Sequence, residues 1–508
     1  MRDETRSRKF FYNTVFTAFL QVVTIVSTFI APRFMLKYYG SEINGLVTSI
    51  TQFVAYFNLV EAGLSNAAIY ALYKPLANKD YGRISEIVSA SKKFYLQAGY
   101  IFVSLTVGLS VLYPLYVTAD GFSPIAMGVL VLVLGANGCL EFFTLAKYRV
   151  LLTADQRTYI VSLSSIVQIV VQTGIIALLS VFQVNIVVVR AVAISAIVLR
   201  TLILNLYCKV KYKEIDYKAI PDMKSLDKRW DAMFLQVVIA IHRGTTVLLL
   251  TVIVKDLTLV SVYSVFHIVV SGLNNVLGIF SSGLAASFGD VIAKDEKTVL
   301  QKSYKEFELG YYLVMTLLYS VAFIMIMPFV KLYTTGIEDS SVYIQPVIAF
   351  IMLLDGVVSN IKAPQSMLVI SAGMYKETRW RTLVYGVITF VGGIILAFPF
   401  GIYGILIASI ASNLYRDVDL LFFSAKRITG INPICSIKNI GIRAVSLFLI
   451  VLPFFFFEVV ANSWFEWVLW AIGVSIYAIF VLLVFTLIFD FKTFKNGVKR
   501  FLRIFKRG

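Results

Sequence analysis

Apolar runs of more than 18 residues recur along almost the whole chain, separated by short polar or basic stretches. A run of that length, wound as an α-helix, crosses the roughly 30 Å of hydrocarbon in a bilayer. The runs are continuous rather than alternating, which argues against a membrane barrel. The pattern predicts about 14 spans, at 10–36, 43–70, 94–117, 123–152, 159–181, 184–207, 233–254, 258–288, 307–333, 343–372, 382–400, 402–424, 442–460 and 465–489. The expected fold class is an all-α polytopic membrane protein. Between the second and third spans, Tyr81, Ile84, Ile87 and Val88 give Tyr81–Lys93 one apolar stripe. That stretch fits a helix lying on the inner surface or an extension of the next span.

Composition agrees with the pattern. The 508 residues are 59% apolar and only 15% charged, too few charges for a soluble protein of this size. The net charge of +17 would suit a nucleic-acid partner if it formed a patch, but the Lys and Arg collect in the connections. With the N-terminus inside, inner segments hold 37 of them, and the outer connections hold only Arg33, Lys37, Lys255 and Lys331. That bias places both termini in the cytoplasm and removes nucleic acid from the expected partners. The remaining five, Arg190, Arg200, Arg243, Lys362 and Arg416, fall within spans. Cys139, Cys208 and Cys435 suggest neither a disulfide framework nor a zinc site, and no cofactor or metal is expected. The apolar segment after RDETRSRKFF is too long for a signal peptide and lacks a small-residue cleavage site, so it reads as a retained first helix.

An internal repeat organises the spans. Residues 45–80 lie on 261–296 without a gap, and LLTADQ at 151–156 meets VISAGM at 369–374, an offset of 218. Six spans per copy make the repeats parallel, related by an axis along the membrane normal. The expected division is an N-terminal lobe at 1–207, a cytoplasmic linker at 208–232, a second lobe at 233–425, and two extra helices with a basic tail at 426–508. Two lobes around a cleft suit alternating access. The chain has no nucleotide-binding glycine loop, no nucleophile constellation and no outer domain large enough for glycan polymerase or ligase chemistry. A secondary transporter is expected rather than an enzyme.

The hairpin at 32–65 carries a family likeness. Arg33 is followed by Gly40 and by the turn residues Glu42 and Gly45, and the second span then carries Glu61-Ala62-Gly63-Leu64-Ser65. This order of features resembles the Wzx-type polysaccharide flippases, within the MOP superfamily that also holds the MATE exporters and the lipid II flippases. The resemblance implies a MATE-like fold. It also implies transfer of undecaprenyl-diphosphate-linked oligosaccharide repeat units across the bacterial plasma membrane, for export of capsule, exopolysaccharide or O-antigen. Implied partners are the lipid-linked oligosaccharide, membrane lipids, an H+ or Na+ gradient and polysaccharide assembly proteins. The alternative is a MATE-like ion-coupled multidrug exporter, and a membrane glycan polymerase or ligase ranks below both.

Charges within spans are the candidate site, because each costs roughly 2.5–3.5 kcal/mol to insert at mid-membrane. Arg243 lies about 15 Å deep in span 7, too deep to snorkel easily. Its planar fork matches a diphosphate, with an internal ion pair as the other reading. Lys362 and Asp355 share a face of span 10 with Ser359 between them, as a cavity wall or as bridges to neighbouring helices. At the repeat offset Glu141 falls on Ser359. Glu141 and Glu61 fit either a coupling-proton role or charge balance for an arginine. Arg190, near the outer end of span 6, binds cargo or snorkels. Arg200 and Arg416 lie close enough to inner ends to snorkel, and Asp417 and Asp419 beside Arg416 favour local pairing. His242 is a packing residue or a proton relay.

Overall fold

The computed structural model describes residues 6–61, 64–223, 229–497 and 499. Every regular element among them is a helix. Eleven helices are long and apolar enough to cross a membrane, or 12 if the bent pair Gln236–His242 and Gly244–Val254 forms one span. The chain is a multi-pass membrane protein. On its first helix Phe11, Val15, Phe19, Val22, Val26 and Ile30 recur at helical spacing, and all are exposed. An uncovered apolar stripe of this kind suits lipid as its solvent.

By contacts the chain divides into two units, Met1–Ser261 and Val262–Gly508. The first contains α1 (Arg6–Phe57), α2 (Leu64–Asn78), α3 (Tyr81–Tyr116), α4 (Pro124–Leu140), α5 (Ala146–Ala154), α6 (Thr158–Val181), α7 (Ile186–Ala193), α8 (Ser195–Lys211), α9 (Arg229–Leu249) and the first turn of α10 (Leu257–Ala293). The second contains the rest of α10, then α11 (Lys297–Tyr333), α12 (Pro346–Ile361), α13 (Ala363–Ser371), α14 (Tyr375–Val387), α15 (Gly393–Ser424), α16 (Pro433–Val451) and α17 (Trp464–Phe489). The contact boundary puts α9 in the first unit, whereas the internal repeat assigns this span to the second copy.

Two helices are longer than one crossing. The 52 residues of α1 would extend about 78 Å, more than twice the hydrocarbon thickness. The helix breaks at Gly40, where φ is 80° and ψ 175°, a conformation almost confined to glycine. In α15 the break is at Gly401, with φ 56° and ψ −130°. The expected count of about 14 rests on dividing the helical stretches Phe11–Glu61 and Lys376–Thr429 at these two glycines. The stretch Tyr81–Lys93 is continuous with the third span inside α3, and its Ile84, Ile87 and Val88 are buried in the unit's core. It is an extension of the span.

Beyond Gly40, α1 packs closely on α9 and the start of α10. Asn44 Nδ2 donates to Ser261 Oγ at 2.8 Å, and Thr251 Oγ1 donates to Ser49 Oγ at 2.8 Å. Between these bonds Gly45 lies so near the backbone of Leu257 that a Cβ would stand 1.8 Å from its carbonyl oxygen. In the second unit Ile324 and Met325 of α11 pack with Ile450 of α16 and with Val474, Ala478 and Leu482 of α17. This core fastens the two extra helices to the unit.

Candidate functional site

Two helix irregularities build a polar cavity in the first unit. The chain leaves α1 through a 3-10 turn, Asn58–Glu61, which brings Glu61 to its end. Between α4 and α5 a π-helical turn, Glu141–Leu145, opens on Glu141. A π-turn inserts one residue into the helical ladder, and such insertions concentrate at functional sites. The extra residue rotates everything that follows, so Arg149 of α5 comes to face Glu61. The cavity is about 490 Å³, and its wall includes Asn58, Glu61, Ser65, Glu141, Arg149 and Gln236.

Arg149 is held on both sides. Its NH1 donates to Glu141 Oε1 at 3.0 Å, and its NH2 donates to Glu61 Oε1 and, at 3.2 Å, to Ser65 Oγ. Ser65 Oγ donates to Glu61 Oε1 at 2.8 Å and lies 2.6 Å from the buried Tyr95 hydroxyl. All three charged groups are partly exposed to the cavity. Arg200 of α8 is the fourth member: its NH1 lies 3.8 Å from Glu141 Oε1 and donates to Gln168 Oε1 at 3.1 Å. Its side chain is only 12% exposed. The snorkelling expected of Arg200 is therefore replaced by pairing inside the bundle. Two guanidiniums face two carboxylates, so the group is electrically balanced. Breaking one such buried pair is costly, because the partner is left uncompensated.

The second unit holds a separate cluster. Span 10 breaks at Lys362, between α12 and α13. At the repeat offset of 218, the π-turn at 141–145 falls on 359–363, the same place. Lys362 Nζ donates to Ser359 O at 3.0 Å and to Asn413 Oδ1 at 2.7 Å, and lies 3.7 Å from Asp417 Oδ1. Asp355 accepts from Ser409 Oγ at 3.0 Å and from Asn413 Nδ2 at 2.9 Å. The stripe expected on span 10 is thus bridged to α15. Arg416 donates to Asp419 and to Thr382 Oγ1, the local pairing its neighbouring aspartates favour.

The structure brings Glu61 and Glu141 together, and Asp355 with Lys362. Arg190 is on α7 in the first unit, with Tyr39 as its ionisable neighbour. Its Nε is buried with no hydrogen-bond partner among the described residues. His242 is partly buried on α9. The side chain of Arg243 lies outside the described residues. Sequence reasoning missed Arg149, because near the inner end of span 4 it counts as one of the topology-setting cations. The signal that could have found it is its spacing of eight residues from Glu141, close to two helical turns.

No family model matches this chain, and no curated protein sequence matches it. Solved structures do. A multidrug resistance MATE family transporter of the MOP superfamily, in an inward-facing conformation, aligns with a TM-score of 0.65 at 14% identity, over 80% of this chain and 95% of that one. The lipid II flippase MurJ, in an inward closed conformation, aligns with a TM-score of 0.67 at 14% identity, over 94% of this chain and 98% of that one. The fold is MATE-like. At this identity the likeness concerns the fold alone.

Proposed function

We propose that the chain is a Wzx-type flippase, which moves undecaprenyl-diphosphate-linked oligosaccharide repeat units from the inner to the outer leaflet of a bacterial plasma membrane by alternating access. The observation that carries the reading is the first-unit cavity with Arg149 at its wall. It is polar space inside a helical membrane protein, and its guanidinium suits a diphosphate. The MATE-like fold supports a transporter, and the likeness to a lipid II flippase along 94% of the chain supports a lipid-linked cargo. The features of the opening hairpin, Arg33 to Ser65, support the Wzx type.

In this reading Arg149 joins Arg243, Lys362 and Arg190 as cations for the diphosphate and glycan. Glu61, Glu141, Asp355 and His242 provide charge balance or couple transport to an H+ or Na+ gradient. The lobes are 1–207 and 233–425, joined by the cytoplasmic linker, with both termini inside. The chain is not an enzyme, and its partners are membrane lipids and the proteins that assemble the polysaccharide.

The second reading, a MATE-like exporter of cationic drugs, draws on Glu61 and Glu141 in the same cavity. Deleting the gene separates the two. The flippase reading expects undecaprenyl-linked repeat units to accumulate and surface glycan to be lost. Normal glycan with altered drug sensitivity would overturn it in favour of the exporter.

A further inference from the structure

Neither terminal nitrogen of Arg149 is without a partner. Both of its terminal nitrogens are held, one by Glu141 and the other by Glu61 and Ser65. A phosphate that docks on this guanidinium needs a terminal nitrogen released to it, so one carboxylate must let go. The two carboxylates differ in where they can go. Among the described ion pairs Glu61 has Arg149 alone, and leaving it would strand a charge. Glu141 has a second arginine: Arg200 NH1 is 3.8 Å from its Oε1. Arg200 is also under-satisfied, since its Nε is buried with no hydrogen-bond partner among the described residues. A buried N–H in that state lacks an acceptor that folding would otherwise provide. Glu141 itself opens the π-helical turn, a backbone irregularity frequent at functional sites.

We infer that Glu141 is a transferable counter-ion: it pairs with Arg149 in the empty site and passes to Arg200 when a lipid diphosphate takes Arg149. The transfer leaves no charge stranded in either state. Empty, Arg149 shares Glu61 and Glu141, and Arg200 rests on Gln168. Loaded, Arg149 gives NH1 to the phosphate while NH2 stays on Glu61 and Ser65, and Glu141 supplies a carboxylate acceptor to Arg200. Arg200 thereby becomes a positioning residue. It favours cargo without touching it, by drawing away the carboxylate that competes for Arg149. The inference rests on the proposed diphosphate cargo.

The test is a binding cycle on the purified full chain in detergent, with farnesyl diphosphate as the probe and native mass spectrometry as the readout. Glu141→Gln removes the competitor and is expected to tighten binding about tenfold, the scale of one charge-assisted hydrogen bond. Arg200→Gln leaves Glu141 with no second partner and is expected to weaken binding by a similar factor, with Arg200→Lys recovering part of it. The double variant is expected to bind like Glu141→Gln alone, because Arg200 has no competitor left to withdraw. A merely structural Arg200 would weaken binding equally in both backgrounds, and that additive result would overturn the inference. So would weaker binding by Glu141→Gln. Arg149→Ala is the control on the underlying reading. If wild type binds the probe no better than this variant, the diphosphate reading itself is wrong, whatever the cycle shows.

Discussion

Gly45→Ala tests how tightly the first unit is drawn together beyond the Gly40 break. The added Cβ would stand 1.8 Å from Leu257 O, 2.7 Å from its carbonyl carbon and 3.3 Å from its Cα. All three are backbone atoms, so no rotamer change relieves the clash, and α1 and α10 must separate by more than an ångström. Overpacking of a tight contact costs about 1–3 kcal/mol, and a backbone contact belongs at the upper end. The separation also pulls on the flanking bonds from Asn44 to Ser261 and from Thr251 to Ser49, worth about 1 kcal/mol each. The expected loss is about 3–5 kcal/mol by these terms together. The assay combines thermal unfolding in detergent with cysteine crosslinking between positions 44 and 261, in a background lacking Cys139, Cys208 and Cys435. Gly45→Ala should lower the melting temperature and the crosslinking yield together. Unchanged values of both would show that α1 and α10 do not meet at this separation.

Three further outcomes follow from single contacts. At the connection between α5 and α6, burial raises the Asp155 carboxyl, but hydrogen bonds from Tyr212, Lys9 and Arg157 outweigh it and hold the group below the ordinary carboxylate range. A carboxylate lowered in this way stabilises the fold above its unfolded pKa of about 3.9 and loses that contribution as pH falls through the folded value. Asp155→Asn should therefore cost about 2 kcal/mol at neutral pH, and the gap between the melting curves of variant and wild type should close as pH falls below the ordinary carboxylate range. In the second unit Arg443, 2% exposed, pairs with Asp490 and donates to Thr486 Oγ1 at 3.1 Å. Asp490→Asn leaves that guanidinium buried without a counter-charge and should cost about 3–5 kcal/mol, while Arg443→Met in the same chain recovers much of the melting temperature; no recovery would refute the pairing. Lys362→Met strands Asp355 and Asp417 and should sharply reduce the yield of monodisperse protein, with Asp417→Asn restoring part of it. A wild-type yield from Lys362→Met alone would contradict the pairing of Lys362 with this cluster.

The helical, membrane-embedded architecture was legible because the hydrophobic signal of a span is carried by some 20 consecutive residues, and no tertiary contact can reverse it. Glu61 and Glu141 were legible for a similar reason: a carboxylate in an apolar run is expensive, so it stands out. Depth, however, does not give direction. Arg200 lies close enough to an inner end to snorkel, yet its helix face turns it toward Gln168 and Glu141. Arg149 was hidden by the positive-inside pattern, in which one more cation near an inner end carries no surprise. Its partnership with Glu61 depends on a π-turn, and a one-residue change of helical register leaves no composition signal. The division of contacts at Ser261 was also beyond reach. The repeat places the span of α9 in the second copy, whereas α9 packs on α1 around Gly244, where a Cβ would stand 2.3 Å from the Tyr56 hydroxyl.

The central claim is that Arg149 in the first-unit cavity serves export of a diphosphate-linked glycan. Its most direct test is the lipid-linked sugar pool and the surface polysaccharide of cells that carry Arg149→Ala at wild-type protein levels. The account predicts accumulated undecaprenyl-linked repeat units and lost surface glycan, with Arg149→Lys retaining part of the function. Normal surface glycan in the Arg149→Ala strain, with no accumulated intermediate, would contradict it.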